Sequence, residues 1–304
     1  SVILYDNSFE AKPLTPTGDG SWLIYGQSDQ PSAVGGTYTL TDDLTIENGN
    51  TLTIPAGSTL NLGGHTLTND GTLNIANQSS LAGTGTLDGS GAFNLTNPDP
   101  VISGSETLTY DGTDHFNDFS LTAPIGTVEV MGQNFNISNT PSLEGWSLNQ
   151  QEIKDAGTYT LTASNGTTTI EKEITVSPAE ISITGATLTP KTYDGNTTAT
   201  VESVTFDNLV NGESLSFGID YTATAVFNSA NAGSQSATVT VTLKGGSNYT
   251  FAGNQDEATY ASATGTINKL PVVLEWSTPT EFTYDGQEKT VTAKITNVVG
   301  DDDV

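Results

Sequence analysis

His65 and His115 are the only histidines in the sequence, and there is no cysteine. Imidazole is the side chain best suited to proton transfer near neutral pH, and thiolate the strongest side-chain nucleophile. The two histidines stand fifty residues apart. No His-x-x-x-His pair or other histidine cluster is present to hold a transition metal, and His65 reads as a strand-edge side chain. A Ser-His-Asp arrangement stays open on sequence alone, but no Gly-x-Ser-x-Gly elbow precedes a helix. Carboxylates at Asp42-Asp43, Asp70 and Asp88 have the chemistry for acid–base work on glycans. A polysaccharide lyase would also need cations to neutralise a uronate, and Lys12 is the only cation among the first hundred residues. These aspartates therefore read as turn residues that accept local backbone donors. No catalytic residue, cofactor site or transition-metal site is expected.

Hard cations are the remaining ligand class. Gly300-Asp301-Asp302-Asp303 is the densest acidic run. It lacks the Asp-x-Asp-x-Asp-Gly spacing of a calcium loop and reads as a solvated tail, leaving calcium open. A Lys–Asn isopeptide bond is a further open idea, since it needs a buried lysine, asparagine and acid that sequence cannot place together.

The elements that would position these residues are strands. Apolar residues alternate with β-branched ones, as in Thr51-Leu52-Thr53-Ile54 and Ala237-Thr238-Val239-Thr240-Val241-Thr242-Leu243. That is the period of a half-buried strand. Turn-forming glycine is abundant at 32 residues, and helical periodicity is almost absent. The formal charge is −27, from 35 acidic residues against eight lysines and no arginine. Counterion release from nucleic acid needs Lys and Arg, so nucleic acid is excluded as a partner, and anionic lipid with it. Charge of this size favours a soluble monomer. No run of 18 apolar residues exists to span a bilayer. The chain opens Ser1-Val2-Ile3 without a signal peptide, as a mature or cut piece would.

An internal repeat organises the N-terminal third. Leu44–Ile54, His65–Ile75 and Gly85–Leu95 align at offsets of 21 and 20 residues. The alignment stacks Ile46, Leu67 and Leu87; Leu52, Leu73 and Phe93; and Ile54, Ile75 and Leu95, with Leu60 and Leu81 between. A period of about 20 residues, with three short strands each, can close on itself. This predicts a parallel β-helix of about three coils over residues 1–97. Residues 1–37 would be a leading strand and a cap. A β-sandwich with regular hairpins is the alternative. Parallel β-helices also house polysaccharide-active enzymes, which keeps that class as a disfavoured reading.

Asn97-Pro98-Asp99-Pro100 closes the repeat. After it a triplet recurs: Tyr110-Asp111-Gly112, Tyr193-Asp194-Gly195 and Tyr284-Asp285-Gly286, at spacings of 83 and 91 residues. Thr precedes each tyrosine, and Pro100, Pro178 and Pro271 lie upstream. Modules of this length suit immunoglobulin-like β-sandwiches over 98–178 and 179–268. Residues 269–304 are too few to close a third, which is expected to be cut or completed elsewhere. Asp155-Ala156-Gly157 and Asn231-Ala232-Gly233 read as turns that open a late strand.

Residues 97–304 resemble the tandem MBG and YDG repeats of bacterial surface adhesins. The resemblance rests on the three triplets, Lys191–Ala199, Ala156-Gly157-Thr158-Tyr159 and Gly245-Gly246-Ser247-Asn248-Tyr249. It implies sandwich repeats in large secreted or wall-attached proteins, with no catalytic residues. The expected role is structural or adhesive display at the bacterial surface, toward an extracellular ligand such as a glycan or a neighbouring cell. A carbohydrate-binding module is the alternative. Trp22, Trp146 and Trp276 are far apart and read as outside any run of exposed aromatics.

Overall fold

The computed structural model describes residues 2–5, 20–26, 29–139, 142–279 and 281–302. Lys12 and Asp303 lie outside the described residues. The described chain is all-β; helical geometry is confined to three-residue turns such as Phe116–Asp118 and Val210–Gly212. Two compact units divide it. The first comprises Ser1–Glu106, Phe116–Gln151 and Thr160–Glu173; the second comprises Thr107–His115, Glu152–Tyr159 and Ile174–Val304.

In the first unit the 20–21 residue period becomes three parallel ladders. Thr37–Thr39, Thr59–Asn61 and Leu81–Ala82 form one. Leu44–Ile46, Thr66–Asn69 and Thr86–Asp88 form the second. Thr51–Ile54, Thr72–Ile75 and Ala92–Leu95 lie side by side in a larger sheet. The register stacks Leu52 on Leu73 on Phe93, Ile54 on Ile75 on Leu95, and Leu60 on Leu81, as the alignment expects.

One column differs. Leu44, not Ile46, is in register with Leu67, and Ile46 faces Asn69. The corner Glu47–Asn50 is two residues longer than Asp70-Gly71 in the next period, so the surplus is absorbed there and the strand before it slips by two. A two-residue slip keeps each side chain on its own face. Leu44 and Ile46 therefore stay buried, but an asparagine joins the apolar column.

Leu52, Ile54, Leu60, Leu62, Leu67, Leu73 and Leu95 are fully buried. Each such side chain contributes about 1.5–3 kcal/mol relative to exposure. One end of this core is bounded by Trp22–Tyr25 and Pro31–Gly35, with Val2–Tyr5 pairing parallel to the former. The other end is closed by residues the sequence assigns to the next module. Thr127–Val130 and Gln133–Ile137 form a hairpin, and Asn136 and Ile137 pair with Asn94 and Leu95. Phe135 is fully buried with its ring 5.1 Å from that of Phe93, edge to face. Asn94 Nδ2 donates to Asn74 Oδ1 at 2.9 Å, an amide rung between successive periods.

The second unit is built on a six-stranded sheet ordered Ser182–Thr189, Thr198–Asp207, Tyr221–Phe227, Gly233–Leu243, Glu257–Asn268 and Lys191–Thr192. Its centre follows directly from alternation: Ala237, Val239, Val241 and Leu243 are buried while the threonines between them are half-buried. Phe227, Tyr221, Phe251 and Ile267 complete the core. Gly157 and Gly233, at φ of 156° and 135°, each open a long strand, as the turn residues before them indicate. Leu274–Trp276 and Ala293–Ile295 form a separate antiparallel pair.

Candidate functional site

The Tyr-Asp-Gly triplets share one local geometry. Asp111, Asp194 and Asp285 each accept the backbone N–H two residues on, at 2.8, 3.1 and 2.9 Å. This is an Asx turn, and the glycine inside it takes a φ of 77°, 75° or 78°. Each aspartate also meets a basic side chain: His115 Nε2 at 3.1 Å, Lys191 Nζ at 2.6 Å and Lys289 Nζ at 2.5 Å. All three carboxyls lie below the usual range. The Thr113 hydroxyl is the main cause for Asp111, Lys191 for Asp194 and Lys289 for Asp285.

Beyond the turn the triplets part. The first is fastened on three sides. Thr107–Thr109 runs parallel to Thr175–Ser177, and Tyr110 N–H donates to the Ser177 carbonyl at 2.8 Å. The Tyr110 hydroxyl donates to Glu213 Oε1 at 2.6 Å. Gly112 faces Val210 and Asn211 so closely that a Cβ would stand 3.0 Å from Val210 Cγ1. Tyr249 donates to Glu213 Oε2 at 2.7 Å, accepts from Val210 N–H at 3.0 Å, and sets its ring edge-on to Tyr110 at 5.6 Å. Burial, with the Glu213 hydrogen bond second, raises both phenols; Tyr249 is pushed up to about 12.

The second triplet repeats the arrangement. Lys191–Thr192 runs parallel to Ile267–Asn268, and Tyr193 N–H donates to the Asn268 carbonyl at 2.8 Å. The Tyr193 hydroxyl donates to Asp302 Oδ2 at 2.7 Å, which raises the phenol. A Cβ on Gly195 would stand 3.0 Å from Val299 Cγ1. Both partner turns read Val-x-x-acid. In each the acid N–H returns to the valine carbonyl, at 2.9 Å for Glu213 and 3.2 Å for Asp302. In each the residue after valine is left-handed: Asn211 at 51° and Gly300 at 56°.

Asp302 is thus a hydrogen-bond acceptor for Tyr193 rather than part of a purely solvated tail. Glu213, Val210 and Val299 escape sequence reasoning, as do the roles of Asp302 and Tyr249. The only trace is that Val210–Glu213 and Val299–Asp302 share valine and an acid three residues apart.

The remaining candidates are dispersed. His65, in the first unit, lies 3.6 Å from Asp43; His115 belongs to the second. Asp43 accepts from Thr66 N–H at 2.8 Å, Asp70 from Ser90 N–H at 3.4 Å, and Asp88 from Gly89 N–H at 2.8 Å. The first two stitch one period to the next. Lys191 does meet an asparagine and an acid, with Nζ 2.8 Å from Asn196 Oδ1 and 2.6 Å from Asp194. Its nitrogen faces the amide oxygen and the Asp194 carboxylate. Among the described residues no three His, Asp or Glu side chains converge on a possible metal. An open cavity of about 300 Å³ beside Tyr193 is lined by Asn231, Leu270, Val272, Ile295 and Asp302, without a nucleophile–base pair. The expectation about tryptophans needs one correction: Trp276, Phe282 and Tyr284 are all exposed within nine residues.

Residues 177–260 match the YDG domain family, so the resemblance is shown for the stretch that carries the Tyr193 triplet. Neither the curated proteins nor the solved structures hold a match to the chain.

Proposed function

We propose that this chain is a non-catalytic segment of a secreted or cell-surface bacterial protein with a structural or adhesive display role. The observation that carries the reading is the use made of the triplets. The most distinctive residues of the sequence are spent on fastening, tyrosine to carboxylate, twice over. The YDG match and the net charge of −27 support the same reading. Residues 1–97 are taken as a short capped parallel β-helix, a reading supported by the three parallel ladders at 20–23 residue offsets. Residues 98–178 and 179–268 are taken as immunoglobulin-like sandwiches, the first with its hairpin over 127–137 given over to closing the N-terminal core, and 269–304 as the opening of a third of the MBG/YDG kind. The protein acts as a monomer toward an extracellular ligand.

The test is location. An antibody against the chain should stain intact producing cells or find the protein in the culture medium. Staining that appears only after lysis would overturn the proposal.

Carbohydrate binding is a second reading, favoured by the exposed Trp276, Phe282 and Tyr284. Such aromatics can stack on sugar rings. A glycan array separates the two, since retention of a defined glycan that is lost in Trp276→Ala would favour the binding module.

A further inference from the structure

Two of the three triplets are held by the same device, and the third is not. Tyr110 and Tyr193 each engage a Val-x-x-acid turn that lies 103 or 109 residues further along. In both cases the tyrosine hydroxyl meets the acid, the tyrosine N–H meets a strand-end carbonyl, and the glycine offers its bare face to the valine. Tyr284-Asp285-Gly286 has the same Asx turn, the same positive φ and its own lysine. Yet Tyr284 is 93% exposed, and among the described residues its hydroxyl has no partner. Nothing lies within 4 Å of where a Gly286 Cβ would be, and Phe282 beside it is 42% exposed.

We propose that the Tyr284 triplet is a docking face for a further Val-x-x-Asp/Glu turn with a left-handed second residue, carried by a following module of the same kind in the polypeptide. The occupant is specified by its two precedents. It must supply a carboxylate to the phenol and a valine to the glycine face; the carbonyl that meets the tyrosine N–H comes in both precedents from a strand end of the triplet's own module, at Ser177 and Asn268. Glycine is required on the receiving side because any Cβ would crowd the valine, as at Gly112 and Gly195. Specificity follows from the geometry: a turn with the acid one residue off would leave both the phenol and the valine unmatched. This deepens the modular part of the proposed function, and its failure would leave surface location untouched.

Acetylation of tyrosine hydroxyls by N-acetylimidazole, read by peptide mass spectrometry, provides the test. In the chain as it stands Tyr284 should react freely, with Tyr110 and Tyr193 protected. Glu213→Ala should release Tyr110, and Asp302→Ala should release Tyr193. Continued protection of both tyrosines would overturn the proposal, because the acid would not be what holds the triplet. Next, a second copy of residues 214–302 is joined after Asp302, which sets a new Val-Gly-Asp-Asp turn downstream of Tyr284 at a separation between the two existing ones. Tyr284 labelling should then fall about tenfold, and return when the added turn carries Asp→Ala at its last position. Unchanged labelling of Tyr284 would overturn the proposal. So would an added copy that fails to fold, since it places Ser214 directly after the acid of a Val-x-x-acid turn, as Glu213 places it in the chain.

Discussion

Tyr110 reaches Glu213 across 103 residues of sequence, hydroxyl to Oε1 at 2.6 Å, and Tyr249 takes the other oxygen of the same carboxylate at 2.7 Å. One acid thus ties a turn near residue 111 to the strand end at residue 249. Net hydrogen bonds to charged acceptors contribute about 1.5–3 kcal/mol each, less where solvent reaches them.

Glu213→Gln keeps the shape, removes the charge and points an amide donor at one phenol. It is expected to lower stability by about 1–2 kcal/mol, read as a lower urea midpoint at unchanged slope. Tyr249→Phe should cost more than Tyr110→Phe, because it also leaves Val210 N–H without its acceptor. Equal costs would show that water replaces the phenol there.

Alkaline stability should report the same cluster. Burial holds the Tyr110 and Tyr249 phenols above the ordinary value of 10.0. A group that loses its proton less readily when folded stabilises the fold fully below its unfolded pKa. That stabilisation is lost as pH rises from 10.0 through about 12 for Tyr249. Urea midpoints should fall across this window, and less steeply in Tyr249→Phe. A flat profile in the unsubstituted chain would contradict it.

Acid titration works in the opposite sense on the triplet aspartates. Their carboxyls are held below 3.8 in the folded chain by Thr113, Lys191 and Lys289. Their contribution is present above pH 3.8 and is lost as pH falls through the folded values. Carbon-detected NMR of the three carboxyls should show midpoints below those of free aspartate, with Asp285 moving back up in Lys289→Ala.

The glycines separate local from tertiary demands. An alanine at positive φ costs about 1 kcal/mol from its own backbone. Gly286→Ala should cost about that, having open space for its Cβ, whereas Gly112→Ala must also displace Val210 and Asn211. Thermal unfolding should therefore place Gly112→Ala clearly below Gly286→Ala.

The first unit has its own tests. Phe135→Ala removes a fully buried ring from the end of the core and should cost about 3–5 kcal/mol. Asn69→Asp sets a carboxylate where a fully buried amide donates its Nδ2 to the Ala92 carbonyl and, among the described residues, its oxygen has no partner. A loss of several kcal/mol, on the order of 3 or more, is expected at neutral pH. A chain with either substitution that melts like the original would place these side chains outside the core.

Sequence alone determined what is periodic or local. Alternation set which face of Gly233–Leu243 is buried, and the 20-residue repeat set most of the column from Leu52 to Phe93, because side-chain direction along a strand follows from pleat alone. The Asp-Gly pair fixed the same Asx turn three times, since the aspartate reaches only its own backbone. Tertiary structure decided what depends on distant partners. Corner length placed Asn69 opposite Ile46, and core closure drew Phe135 back onto Phe93. Three triplets of one local shape became two fastened tyrosines and one exposed. A hydroxyl's partner depends on which turn folds against it, and nothing within a few residues of Tyr110, Tyr193 or Tyr284 records that.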